Sequence, residues 1–157
     1  VVGLDISQKA IEIAKRRAEN QNIPQQMCNF HKLGGENTKL AFPDKYFDVS
    51  LAESCLDSMA FDLAAGYLSE LCRVTNAVIY LSLIGARVNG DAELDEVVVQ
   101  TEHEQGTVQS YFDKGKIFSL LKYAQDFTLD SCVTETQENL DGRIIDQRNY
   151  IVLKRDI

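Results

Sequence analysis

The stretch Val1-Val2-Gly3-Leu4-Asp5-Ile6-Ser7, with Ala10, Ile11 and Ala14 behind it, decides how the chain is read. Residues 1–4 are short, apolar and valine-rich, as a buried strand requires, and the acid Asp5 follows them. Ser7 offers the side-chain oxygen of a helix N-cap. Ala10, Ile11, Ala14 and Ala18 recur at helical spacing, while Lys9, Lys15, Arg16 and Arg17 fall largely on other faces. The spacing predicts a helix that fades near residues 20–22, and Pro24 confirms the stop.

Outward from this unit, residues 27–30 read as a second strand that Gly34-Gly35 breaks. Residues 47–52 read as a third strand, introduced by the Pro43-Asp44 turn, and 61–74 as a helix with Leu63, Tyr67, Leu68 and Leu71 as its apolar stripe. The nearly continuous apolar run 77–84 suits a central strand covered on both faces. Residues 85–95 look like a loop, 96–101 a short extended edge, and 116–123 a compact amphipathic helix carrying Ile117, Phe118, Leu120 and Leu121. Residues 127–136 and 149–154 read as strands around 139–142, where Asp141-Gly142 is a strong turn signal. Strand and helix alternating, then a hairpin, predict an α/β fold with a mostly parallel sheet and an antiparallel C-terminal hairpin. No repeat, low-complexity tract or linker interrupts residues 1–157, which read as a single domain. Opening on Val1 inside a strand, it is expected to be N-terminally incomplete.

The chain has 157 residues, 45% of them apolar, enough for one sizeable core. Its formal net charge of −8 argues against a nucleic-acid backbone or an anionic membrane as main partner, since both recruit Lys and Arg. No apolar run approaches the ~20 residues that span a bilayer. Cys28, Cys55, Cys72 and Cys132 contain no CxxC pair, and His31 and His103 are far apart, so no metal site is expected. Four scattered thiols read as buried and reduced, and suit the cytoplasm.

In open α/β sheets ligands bind beyond the carboxyl ends of the strands. Asp5 therefore stands out: it can accept hydrogen bonds from both ribose hydroxyls of a nucleoside ligand, or serve as a plain carboxylate favouring the helix dipole. Glu36 and Asn37 follow the next strand, where they could lie along an adenine edge or be solvated loop residues. Glu53, Ser54 and Asp57 come just past the third strand, as acid/base candidates without a neighbouring histidine or lysine, or as caps of the next helix. His103 lies in the polar, turn-forming stretch 101–107, within a long connection of the kind that covers ligand sites. It reads as a candidate base or a surface histidine.

Val2-Gly3-Leu4-Asp5-Ile6-Ser7 with Ala10-Ile11 and Ala14 resembles the second strand and helix of class I S-adenosylmethionine-dependent methyltransferases. Leu40-Ala41-Phe42-Pro43-Asp44 with Tyr46-Phe47-Asp48 is similar to the segment leading into that family's fourth strand. Leu68-Ser69-Glu70-Leu71-Cys72-Arg73-Val74 resembles the helix end before the fifth. Tyr111-Phe112 and the helix at 117–121 resemble the stretch before the last strands. The resemblance implies a Rossmann-like methyltransferase fold and S-adenosylmethionine as cofactor. Asp5 would bind ribose, Ile6 would pack on adenine, Glu36 and Asn37 would flank it, and Glu53 would begin the loop facing cofactor and acceptor. His103, Glu104, Gln109 and Tyr111 are the expected acceptor side, with a small molecule as acceptor.

Two features depart from the family. The Gly-x-Gly strand and turn are absent before Val1, and Thr75-Asn76-Ala77 replaces the usual Pro-Gly-Gly turn, where Asn can also take a left-handed conformation. In the family the missing strand lies at the sheet centre. Its loss would leave inner strands with unpaired backbone groups, each costing ~1–3 kcal/mol if buried, against a domain stability of ~5–15 kcal/mol. Upstream residues, another chain, or closing-up of the remaining strands could supply the pairing; upstream residues are the expectation. Two rivals stand beside methyl transfer: an NAD-dependent oxidoreductase, whose ribose an acid such as Asp5 would also hold, and a non-catalytic methyltransferase-like binding or regulatory subunit.

Overall fold

β1 (Val2–Asp5) runs through Ser7 into α1 (Gln8–Asn20), as the opening sequence requires. The computed structural model describes residues 1–34, 38–86, 95–100 and 106–156, in two compact units, Val1–Leu40 and Ala41–Ile157. In the first unit the Ser7 hydroxyl accepts the Ala10 N–H at 3.2 Å, satisfying one donor that the helix start leaves over. Ile11 and Ala18 are the buried residues of the helical stripe. Asn22 takes a left-handed φ of 54° just beyond the helix. β2 (Asn29–Lys32) pairs parallel with β1, Val2 opposite Asn29 and Asp5 opposite Lys32. It starts two residues later than its apolar pattern indicates, because Gln25–Met27 form a turn of 3-10 helix, closed by the Met27 N–H on the Pro24 carbonyl. The Phe30 ring lies over Gly3, where a β-carbon would stand 2.6 Å from it.

The second unit holds β3 (Phe47–Glu53), α2 (Phe61–Val74), β4 (Thr75–Ile84), β5 (Glu96–Val98), β6 (Val108–Ser110), α3 (Lys114–Leu121), β7 (Phe127–Glu138) and β8 (Ile144–Arg155). Its main sheet has the order β3-β4-β8-β7; β3 and β4 are parallel, joined by α2, and the other pairs are antiparallel. β5 and β6 form a separate antiparallel ladder, of which the sequence pattern indicated only β5. The sheet is thus mixed, with the parallel β3–β4 pair at one side and the expected antiparallel hairpin at the other. Among the described residues β1 and β3 each pair along one edge only.

β4 shows where pattern and packing part. Ile79, Leu81 and Leu83 are fully buried, with Ile151 and Leu153 of β8 beside them, on the face that meets the small side of α2 at Ala64, Ala65 and Leu68. The alternate residues Val78, Tyr80 and Ile84 are half-buried, and Val49 and Leu51 of β3 are exposed. β4 is thus an inner strand, as expected, with its second face covered fully only at Ser82. β4 also begins at Thr75, directly from the helix, so the Thr-Asn-Ala replacement makes no turn at all. The hairpin strands run longer than their apolar cores. They meet at Asn139, whose side-chain oxygen accepts the N–H groups of Asp141 and Arg143, with Gly142 at φ 76°.

Candidate functional site

The carboxyl end of β1 presents Asp5. One carboxylate oxygen accepts the Ser7 N–H at 2.7 Å; the other has no partner among the described residues. Ile6 beside it is 57% exposed, an apolar side chain left uncovered where an adenine-packing residue is expected. Glu36 and Asn37 lie outside the described residues, as do His103 and Glu104.

In the second unit the carboxyl ends of β3 and β4 meet a loop at residues 53–60. Glu53 closes β3 opposite Ser82 and is exposed. Ser54 then takes a left-handed φ of 48°, a conformation that costs a serine ~1–3 kcal/mol and that clusters at functional sites. Asp57 turns inward and is buried. Its Oδ2 accepts the Ile84 N–H at 2.8 Å and lies 3.7 Å from Arg148 Nη1, while its Oδ1 has no hydrogen-bond partner among the described residues. The Asp57 carbonyl accepts the Ser110 N–H and the Gln109 side-chain N–H, tying β6 down onto this loop. Asp57 does not cap α2. The Phe61 N–H is met instead by Glu96 of β5, at 2.8 Å.

Burial pushes the Asp57 carboxyl above the usual carboxylate range, more than the Ile84 N–H and the Arg148 charge pull it down. The sign follows: both states are protonated below about pH 4, and above it the unfolded chain ionises first. Asp57 therefore contributes stability at acid pH that is lost as pH rises through its folded value. Asp57→Asn keeps an acceptor for Ile84 and removes the charge. Its unfolding free energy relative to wild type, measured in urea from pH 4 to pH 7, is expected to improve steadily with pH. A flat difference would refute this account.

Beside the loop, Phe61, Tyr111, Asp95, Glu96, Asp113 and Lys116 line an open cleft of about 750 Å³. Lys116 Nζ stands 2.5 Å from Asp95 and 5.1 Å from the centre of the Phe112 ring. Of the expected acceptor-side residues, Tyr111 lines this cleft and Gln109 is committed to the Asp57 carbonyl. Sequence reasoning missed Arg148, which no local pattern connects to residues 54 and 57. It also passed over Ser82, a hydroxyl inside an apolar run that was itself a signal. The thiols correct another expectation. None of the four is in a disulfide, but only Cys72 is buried, its thiol pushed up to about 12 by burial; Cys55 and Cys132 are exposed. Cys55 sits in the loop after β3, and Cys132 on edge strand β7, whose side chains stand in solvent from Thr128 on. Among the described residues no helix is long and apolar enough to cross a membrane.

The parallel β3-α2-β4 unit and the antiparallel β7–β8 hairpin belong to a Rossmann-like α/β fold of the methyltransferase type. Residues 1–78 match the family model described as methyltransferase domain, and the chain has an S-adenosylmethionine-dependent methyltransferase fold and domain. No curated protein sequence matches it. Among solved structures it is similar to a SAM-dependent methyltransferase from Methanosarcina mazei, at 20% identity and TM-score 0.75, over 99% of this chain and 81% of that one. It is also similar to magnesium protoporphyrin IX methyltransferase from Synechocystis with bound SAM, at 15% identity and TM-score 0.64, covering 99% and 59%. A third is a cyclase, at 13% identity and TM-score 0.72, covering 99% and 66%.

Proposed function

We propose that the chain transfers the methyl group of S-adenosylmethionine to a small-molecule acceptor. The acceptor's lone pair forms the new bond to the methyl carbon as the carbon–sulfur bond breaks and its electron pair returns to sulfur. Positioning is the protein's chief contribution, with a base needed only where the acceptor must lose a proton. The observation that carries the reading is Asp5: a strand-terminal carboxylate with one oxygen fixed by Ser7 and the other open, at the position that would hold ribose. Ile6 would pack on the adenine, with Glu36 and Asn37 at its edge and Glu53 opening the loop toward cofactor and acceptor. His103, Glu104, Gln109 and Tyr111 remain our assignment for the acceptor side, with His103 the candidate base. The cytoplasm is the compartment that four cysteines without a disulfide fit.

Parallel calorimetric titration with S-adenosylhomocysteine and NAD tests the reading. Saturable binding of the former and none of the latter is expected; binding of NAD alone would replace it with the oxidoreductase. A second reading, a methyltransferase-like protein that does not methylate, is favoured by one observation: the similar fold also serves a cyclase. Saturable cofactor binding with no consumption of S-adenosylmethionine across a panel of small acceptors would support it.

A further inference from the structure

Arg148 sits on β8 opposite Ile84, at the carboxyl end of β4. Its Nη1 donates to Ser54 Oγ at 2.6 Å and reaches Ser82 Oγ at 3.5 Å, so the guanidinium is held from one side. Nε and Nη2 have no partner among the described residues, and 27% of the side chain is exposed. That pair of nitrogens forms the guanidinium edge that makes two parallel hydrogen bonds to a planar carboxylate. Ser54, whose hydroxyl accepts this bond, holds the left-handed backbone conformation described above. Strain and an unfilled charged edge thus coincide at the end of the sheet where ligands bind.

We infer that Arg148, steadied by Ser54 and Ser82, is a binding site for a carboxylate carried by the methyl acceptor. The inference rests on the methyl-transfer reading and names the acceptor's class. The carboxylate is a handle and not the nucleophile, because two guanidinium hydrogen bonds withdraw the electron density that attack on the methyl carbon needs. The methyl group goes to another atom of the same molecule.

Asp57, from the loop after β3, approaches only Arg148 Nη1, and burial favours its neutral form. Glu135, opposite on β7, accepts the Tyr150 hydroxyl at 3.2 Å. Glu53 ends β3 opposite Ser82 and is exposed to solvent. None of them occupies the Nε–Nη2 edge.

The test is a side-chain NMR titration of the ¹⁵N-arginine-labelled chain, with benzoate as the carboxylate probe, benzamide as its neutral match, and inorganic phosphate as the competing oxyanion. A saturable shift of one Nε–Hε signal with benzoate is expected, with little response to benzamide and weaker binding of phosphate. That signal should vanish in Arg148→Gln. No saturable shift, an equal response to benzamide, tighter phosphate binding, or an unchanged titration in Arg148→Gln would each overturn the inference. Should Arg148→Gln lose its native amide spectrum, Arg148→Lys decides: it keeps the charge without the planar edge and should bind benzoate ~10-fold more weakly, unchanged binding counting against the site. S-adenosylhomocysteine added to the same sample keeps the two readings apart. Cofactor binding without a benzoate response removes only the carboxylate site, and no cofactor binding removes the methyl-transfer reading.

Discussion

Replacing Asp5 with alanine is expected to weaken S-adenosylhomocysteine binding by ~10–100-fold, with the fold intact. Hydrogen bonds to a charged group are worth roughly 1.5–3 kcal/mol each, and the ribose would offer two hydroxyl donors to one carboxylate. Asp5→Asn keeps one acceptor oxygen without the charge and should fall between wild type and alanine. The competing account treats Asp5 as a local brace, since one of its oxygens accepts the Ser7 N–H at the start of α1. A brace predicts a different pattern. Losing an acid near a helix start costs ~0.3–1 kcal/mol of stability and leaves affinity unchanged. Calorimetry and thermal unfolding on the same variants separate the two. Lower affinity with a nearly unchanged melting temperature supports the ribose role, and the reverse pattern refutes it.

The opening unit was legible because it is local: a strand, an acid and a capped helix lie within some twenty residues, and each constrains the next. The same holds for α2, whose stripe of Leu63, Tyr67, Leu68 and Leu71 marks its span from Phe61 to Val74. The strands were readable in their apolar centres but not at their ends. β7 runs on to Glu138 and β8 starts at Ile144, because once a hairpin is nucleated its ladder continues through polar residues. β6 escaped notice for a related reason: three residues paired to β5 carry no period. The cluster around Asp57 was least legible. Arg148 lies 94 positions from Ser54 and 91 from Asp57, and only the antiparallel return of β8 brings them together. Asp57 looked like a helix cap because helix caps are what sequence shows; its burial depends on β4, β6 and β8 all closing over it.

The largest stability loss is expected at Arg155, another residue whose role only the return of β8 reveals. α2 passes into β4 at Thr75 without a glycine, so the carbonyls at its end need a donor from elsewhere. Arg155 Nη2 supplies it, donating to the Cys72 carbonyl at 2.5 Å and the Thr75 carbonyl at 2.6 Å, while the guanidinium packs 4.5 Å from the Phe127 ring centre. The side chain is 12% exposed, so water does not readily replace these bonds. Arg155→Met fills similar space but leaves both carbonyls without their charged donor. Against bonds of ~1.5–3 kcal/mol each stands the relief of Nε, which is buried without a partner. The expected net loss is about 3 kcal/mol, a drop in melting temperature of roughly 6–12 °C for a chain of this size. Arg155→Lys should recover less than half of it, since one ammonium on a flexible stem cannot reproduce the fixed fork. Asp126, which touches Nη1 at 3.4 Å and is 79% exposed, should matter little: Asp126→Asn is expected to cost under ~1 kcal/mol. Thermal unfolding followed by circular dichroism gives the ranking directly, and an Arg155→Met variant as stable as wild type would show that the α2–β4 junction is held by something else.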